Sequence, residues 1–260
     1  MRVLRNIFDR LWAALIFFTR LPLWRLYQPP QECYNSVVEF WPLTGWLTGG
    51  VMAVVIGVGS QWLPLSVSVV LAIVARLLLT GGLHEDGLAD FFDGMGGGGS
   101  DRSRVLAIMK DSHIGTFGVL SLIVYFLLLW TVLTSMPAVM AAFCIFVADP
   151  YAKMLSGQLI LMLPYARTEE TAKNRTVYRR YSWKAGLSLL VQGLLPMGLL
   201  VYVSMDVDFT WVLMLPAVVF YLLYLFIRHR LHGYTGDCCG AVCLMVELTT
   251  CLAMLLWGTM

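Results

Sequence analysis

Seven apolar stretches, separated by more polar connections, lie along the chain at about residues 38–59, 64–83, 117–135, 138–162, 185–204, 210–228 and 240–258. Each approaches the roughly 20 largely apolar residues that a helix needs to cross a bilayer. Inside hydrocarbon the backbone must bond to itself, and unbroken apolar runs of this length predict helices. Ahead of them, residues 4–23 are amphipathic: Ile7, Phe8, Leu11, Trp12, Leu15 and Ile16 alternate with Arg5, Asp9, Arg10 and Arg20. Charges at the centre of a span cost roughly 2.5–3.5 kcal/mol each, so this segment is predicted to lie in the membrane interface. The expected fold is all-α: a polytopic helical bundle of about seven transmembrane helices plus an N-terminal interfacial helix, forming one domain over residues 1–260.

Composition excludes a water-soluble globule. The 260 residues are 59% hydrophobic and 13% charged, against about 25% charged in ordinary soluble domains. The placement of charge predicts the topology. Arg2, Arg5, Arg10, Arg20 and Arg25 open the chain; Arg102, Arg104 and Lys110 follow, then a basic stretch from Arg167 to Lys184, then Arg228 and Arg230. The connections near 59–66, 135–138 and 204–210 carry no Lys or Arg. Seven spans that start inside put 84–113, 164–184 and 229–238 on one side, and the positive-inside rule makes that side cytoplasmic. The expected location is a bacterial inner membrane, crossed several times.

The six cysteines form no CxxC pair and no zinc spacing, so buried, reduced thiols are expected. The N-terminus lacks a small-residue cleavage site after a clean apolar core, and no cleaved signal peptide is predicted. Pro22, Pro42, Pro150, Pro196 and Pro216 lie in or beside apolar runs, where they would kink helices that neighbours must support.

The chain changes character at Thr80, in TGGLHEDGLADFFDGMGGGGSDRSRVLAIMKDSHIGTFG. Asp86, Asp90 and Asp93 stand at i, i+4 and i+7, so on a helix they share one face. Three carboxylates so placed repel one another unless a cation joins them or their protonation shifts. Mg²⁺ suits them, because it is a hard ion that takes one or two carboxylates plus substrate phosphate oxygens. His84 is a candidate phosphate ligand or acid–base group. Gly87 and Gly94 would let a ligand approach the backbone closely. On the same predicted side, Lys110, Asp111 and Ser112 offer a cation and a further carboxylate. Thr235, Gly236 and Asp237, with Glu247 inside the last span, offer more acids, and an acid within a span is a functional candidate by default. Arg167 is the one residue of its basic stretch nominated for binding an anionic substrate.

Taken in order and spacing, LHEDGLADFFDG, IMKDSHIGTFG and TGDCCGA, together with TRLP, FWPLTG and PYAR, resemble the adenosylcobinamide-GDP ribazoletransferase (cobalamin synthase) family over most of the chain. The resemblance implies the last assembly step of the cobalamin nucleotide loop: adenosylcobinamide-GDP is joined to α-ribazole or its 5′-phosphate, GMP leaves, and Mg²⁺ is used. It places the family's acidic motif on His84, Asp86, Asp90 and Asp93, its second motif on Lys110, Asp111, Ser112 and Gly115, and its third on Thr235, Gly236, Asp237 and Glu247. Asp86, Asp90 and Asp93 are then the expected Mg²⁺ ligands. Lys110, Ser112, Gly87, Gly94, Arg167, Thr235 and Gly236 are expected to contact substrate, and Asp111, His84 and Asp237 are the candidate general bases. The expected partners are these small molecules and the lipid bilayer, with homo-oligomerisation left open and no nucleic acid.

Two other readings fit less well. A CDP-alcohol phosphotransferase would carry a DGxxAR arrangement, whereas here Leu88, Ala89 and Asp90 follow Asp86–Gly87 and no Arg stands at the expected place. An ion-coupled transporter would hold its acids near the midplane and repeat them in two halves, and no internal repeat is visible.

Overall fold

The computed structural model describes residues 2–167, 181–203 and 209–258. The connection at 204–210 lies largely outside the described residues, as does most of the basic stretch from Arg167 to Lys184. Eleven α-helices follow in order among the described residues: α1 (Arg2–Phe18), α2 (Trp41–Gly59), α3 (Leu65–Thr80), α4 (Leu83–Gly97), α5 (Arg102–Lys110), α6 (Thr116–Thr134), α7 (Ala138–Gly157), α8 (Leu159–Met162), α9 (Trp183–Val203), α10 (Phe209–Leu231) and α11 (Gly236–Gly258). Two 3-10 segments, Leu23–Arg25 and Gln31–Phe40, join α1 to α2. The one β-type pairing among the described residues is an isolated parallel bridge between Tyr165 and Tyr234.

Five helical segments are long and apolar enough to cross a bilayer: Gln31–Gly59, Thr116–Thr134, Ala138–Met162, Thr210–Leu231 and Gly236–Leu256. The pair Leu65–Thr80 and Leu83–Gly97 would make a sixth, but it bends by 91° at its break. The seven expected spans are therefore not all reached among the described residues. The stretch expected at 185–204 does form a helix of 21 residues, α9. At 17 residues, α1 is too short to span comfortably. It turns Ala13, Ala14 and Phe18 inward and exposes Ile7 and Phe8, and Arg10 ties it to Glu39 at 2.9 Å.

The spans α7 and α11 form the centre, 61% and 67% buried over their apolar windows, whereas α10 and α6 are only 22% and 28% buried and face outward. Close contact at the centre depends on small residues. A Cβ on Gly45 would lie 2.7 Å from the Pro150 Cα, and one on Gly49 would lie 3.0 Å from the Ile145 oxygen. These glycines, four apart on α2, let the backbones of α2 and α7 touch as membrane helices commonly do. Pro150, Pro196 and Pro216 sit inside α7, α9 and α10 without ending them.

Three basic segments meet at one end of the bundle. Arg102 donates from Nε to the Leu231 carbonyl at 2.6 Å and from Nη2 to the Ala166 carbonyl at 2.7 Å. Arg167 donates to the Leu106 carbonyl at 3.0 Å, and Arg230 donates to the Gly99 carbonyl. The residues read as charge markers also staple the connecting segments to one another.

Candidate active site

The site begins at two consecutive glycines. Gly81 and Gly82 have φ of 69° and 70°, left-handed values that only glycine adopts readily. They end α3 and turn the chain through a near right angle into α4. If α3 runs along the bilayer normal, α4 lies in the membrane plane with its polar residues at the level of the basic end. The helix predicted from the spacing of the three aspartates is thus present, at 91° to α3.

Helix α4 is clamped against α11 at a glycine pair. A Cβ on Gly87 would lie 3.2 Å from both the Cα and the carbonyl oxygen of Asp237, and one on Gly240 would lie 3.2 Å from the His84 oxygen. This contact brings His84, Asp86 and Asp237 to the lining of one cavity of about 140 Å³. Phe17, Phe18, Val38 and Trp41 supply an apolar wall. His84 is buried, with its ring near-parallel to those of Trp41 at 5.6 Å and Phe18 at 6.2 Å. The Trp41 indole N–H donates to His84 Nε2 at 3.2 Å. An indole can only donate, so Nε2 accepts and the proton of the neutral imidazole sits on Nδ1.

Asp237 opens α11. Thr235 accepts from the Cys238 N–H at 3.3 Å, and its Oγ1 lies 3.3 Å from Asp237 Oδ2. The segment before it pairs with the PYAR segment: Tyr234 N donates to the Pro164 oxygen at 2.9 Å and Ala166 N to the Tyr234 oxygen at 2.8 Å. That pairing puts the Arg167 guanidinium 4.0 Å from Asp237 Oδ2. Two motifs far apart in sequence thereby join a carboxylate to a cation beside the cavity.

The three aspartates of α4 have different surroundings. Asp86 is exposed on the cavity, Asp90 is half-buried, and Asp93 is buried. Asp93 accepts from Gly115 N at 2.6 Å and Gly118 N at 2.8 Å. It therefore caps the N-terminus of α6, where unpaired N–H groups and the helix dipole favour a carboxylate. A Cβ on either glycine would run into that carboxylate. Among the described residues no three His, Cys, Asp or Glu side chains are grouped to hold a metal ion.

The remaining sequence candidates separate. Gly87 serves the α4–α11 contact and also lines the cavity, whereas Gly94 is packed on Val105 and Met109 of α5. Lys110, Asp111 and Ser112 are exposed at the end of α5. Asp111 and Asp93 line a second groove whose lining includes neither Asp86 nor Asp237. Asp111 Oδ1 lies 2.6 Å from His113 Nδ1; this contact holds the Asp111 carboxyl below and the His113 imidazole above their usual ranges. Gly236 is exposed at the start of α11.

Sequence reasoning passed over Arg76. It is 3% exposed, and its Nη1 donates to both oxygens of Glu247 at 2.7 and 2.9 Å. Its Nη2 donates to the Tyr125 hydroxyl at 2.7 Å and lies 3.7 Å from Glu85 Oε1. A second buried group joins Lys153, Asp149 and Thr48: Lys153 donates to Thr48 Oγ1 at 2.7 Å and pairs with Asp149, and Thr48 donates to Asp149 Oδ2 at 2.5 Å. The available signal was the rule applied to Glu247, that an ionisable residue inside an apolar run seeks a partner there.

The family model described as cobalamin-5-phosphate synthase matches residues 10–255. A protein of Shewanella baltica named adenosylcobinamide-GDP ribazoletransferase is 33% identical over 253 residues, covering 96% of this chain and 95% of the relative. One of the same name from Shewanella oneidensis is 32% identical with the same coverage. No solved structure matches. A match across nearly the whole chain, motif residues included, shows that the chain belongs to the cobalamin-5-phosphate synthase family.

Proposed function

We infer that this chain is an adenosylcobinamide-GDP ribazoletransferase, which transfers the adenosylcobinamide-phosphate group of adenosylcobinamide-GDP to α-ribazole or its 5′-phosphate and releases GMP. Family membership and the name shared by the relatives support the reaction. The structural observation that carries it is the cavity at the α4–α11 crossing, where Asp86, His84 and Asp237 meet with Arg167 close by.

An acceptor hydroxyl oxygen forms the new bond to phosphorus, and the bridging oxygen of the diphosphate departs with GMP. The hydroxyl proton needs an acceptor at the cavity. His84 is poorly suited, since its Nε2 lone pair already takes the Trp41 N–H, and Nδ1–H makes it a donor to a phosphate or sugar oxygen instead. Asp111 lines a different groove. Asp237 is the better base, and Arg167 beside it can offset phosphate charge. Lys110, exposed at the end of α5, is a further candidate cation for the incoming diphosphate.

The donor chemistry suits Mg²⁺: Asp86 on the cavity and Asp90 one turn along α4 would hold it as hard oxygen ligands. When bound, it stabilises charge developing on the transferred phosphoryl group and the leaving oxygen. Asp93 is left in this reading to its cap on α6. The end of the bundle that carries the basic staples is the cytoplasmic face of a bacterial inner membrane, supported by the gathering of Arg102, Arg167 and Arg230 there.

The test is GMP release by detergent-purified protein given adenosylcobinamide-GDP, α-ribazole and Mg²⁺, with a chelator in parallel. Metal-dependent formation of GMP and adenosylcobalamin is expected. Folded protein that gives no product would overturn the reaction, and chelator-resistant turnover would overturn the metal.

A further inference from the structure

The α3–α4 bend is made of two left-handed glycines, and nothing lies within 4 Å of where a Gly82 side chain would begin. Glycine pairs give a backbone its widest conformational range, so the turn does not by itself set the angle at which α4 leaves α3. Yet that angle decides where His84 and Asp86, one and three residues into α4, reach the cavity opposite Asp237.

A contact bridges the bend. Arg76, in the last two turns of α3, reaches Glu85, in the first turn of α4, with Nη2 3.7 Å from Oε1. The guanidinium is itself immobilised from two other helices, by the Glu247 carboxylate on α11 and the Tyr125 hydroxyl on α6, which also donates to Glu247 Oε1 at 3.0 Å. Both residues are more than nine-tenths buried. Arg76 Nε and Glu85 Oε2 have no hydrogen-bond partner among the described residues, so Glu85 is fastened by charge at a fixed point and little else. Burying a charged pair with unsatisfied polar atoms is costly, so its retention calls for a role beyond packing.

We propose that the Arg76–Glu85 ion pair is a brace across the glycine bend, and that Arg76 and Glu85 are positioning residues that aim His84 and Asp86 at the cavity. This rests on the reading of that cavity as the reaction site. Glu247 and Tyr125 form the anchor of the brace, which explains why an acid in the last span has an arginine partner in α3.

The test uses Glu85 variants, because removing Arg76 or Glu247 strands a buried opposite charge and risks unfolding. Spin labels are placed at Val70→Cys on α3 and Phe92→Cys on α4, both exposed positions, while the six native cysteines are buried. In Glu85→Gln, the expected results are a broadened or shifted label distance, an unchanged melting temperature, and a kcat lower by about 10- to 100-fold, the scale of a 1 Å misplacement. KM for adenosylcobinamide-GDP should move far less, and Glu85→Asp should recover part of kcat. The brace is overturned by a parental distance in Glu85→Gln, whatever the activity, or by a kcat that falls only in step with folded protein. If the parent protein lacks turnover, the reaction assignment fails by itself, and the label distance still decides the brace.

Discussion

Gly87 and Gly240 face each other where α4 crosses α11: a Cβ on Gly240 would come within 3.6 Å of the Gly87 Cα, and one on Gly87 within 3.5 Å of the Gly240 Cα. Both residues line the cavity, and the close approach of the two helices there requires that neither carries a side chain. Gly87→Ala must push the start of α11 away by a few tenths of an ångström. Overpacking of this kind costs about 1–3 kcal/mol, and here it also moves Asp237 from Asp86. A fall in kcat larger than the fall in thermal stability is expected for Gly87→Ala, measured by GMP release and detergent melting on the same preparation.

Asp86 and Asp93 belong to one sequence motif but should fail in different ways. Asp86→Asn should abolish Mg²⁺-dependent turnover with an unchanged melting temperature. Asp93→Ala removes the acceptor for two N–H groups of α6 and should destabilise by about 0.5–2 kcal/mol, as lost caps do, while the protein that remains folded keeps measurable turnover. Equal loss of activity at equal stability in the two variants would return Asp93 to the metal site.

The exposed Asp111–His113 contact sets a pH window. Hydrogen bonding to Asp111, then its charge, raises His113 above its usual 6.5, and the side-chain and then the backbone N–H of His113 lower Asp111. The interaction is complete below pH 6.5 and fades as pH rises through the raised His113 value. On the acid side it fades as pH falls through the lowered Asp111 value. NMR titration of labelled His113 should show this midpoint drop towards 6.5 in Asp111→Asn; an unchanged midpoint would dismiss the contact.

Lys153 and Asp149 form a pair 2% and 1% exposed. Breaking a buried pair from one side costs about 3–5 kcal/mol, so Lys153→Met should destabilise the bundle by that order. Replacing both, as Lys153→Met with Asp149→Leu, should restore most of the loss, because no uncompensated charge remains. Unfolding curves for the single and double variants check this.

Local rules carried the sequence reading a long way. The apolar runs reported the helices because a spanning backbone has few alternatives, and the i, i+4, i+7 spacing of Asp86, Asp90 and Asp93 does fall on a helix. What could not be read was depth and direction. Nothing in the local pattern announced that Gly81–Gly82 take positive φ and turn the chain aside between α3 and α4. The even spacing of the aspartates concealed that Asp93 meets α6 and Asp86 meets α11, since helical periodicity fixes a face and not its neighbours. Arg167 was nominated for its charge alone; its place beside Asp237 depends on the pairing of Tyr165 with Tyr234, which no local pattern announces. Arg76 went unremarked because a single arginine hardly alters an otherwise apolar run.

The Arg76–Glu247 pair joins residues 171 positions apart. During synthesis α3 must enter the bilayer carrying an arginine whose carboxylate belongs to the last span to be made. An unpaired arginine at the centre of a span costs about 2.5–3.5 kcal/mol; Arg76 lies in the last two turns of α3, where Glu85 is the first carboxylate made that it can reach. Chains interrupted before Glu247 would leave Arg76 with Glu85 as its carboxylate partner and without the closer one.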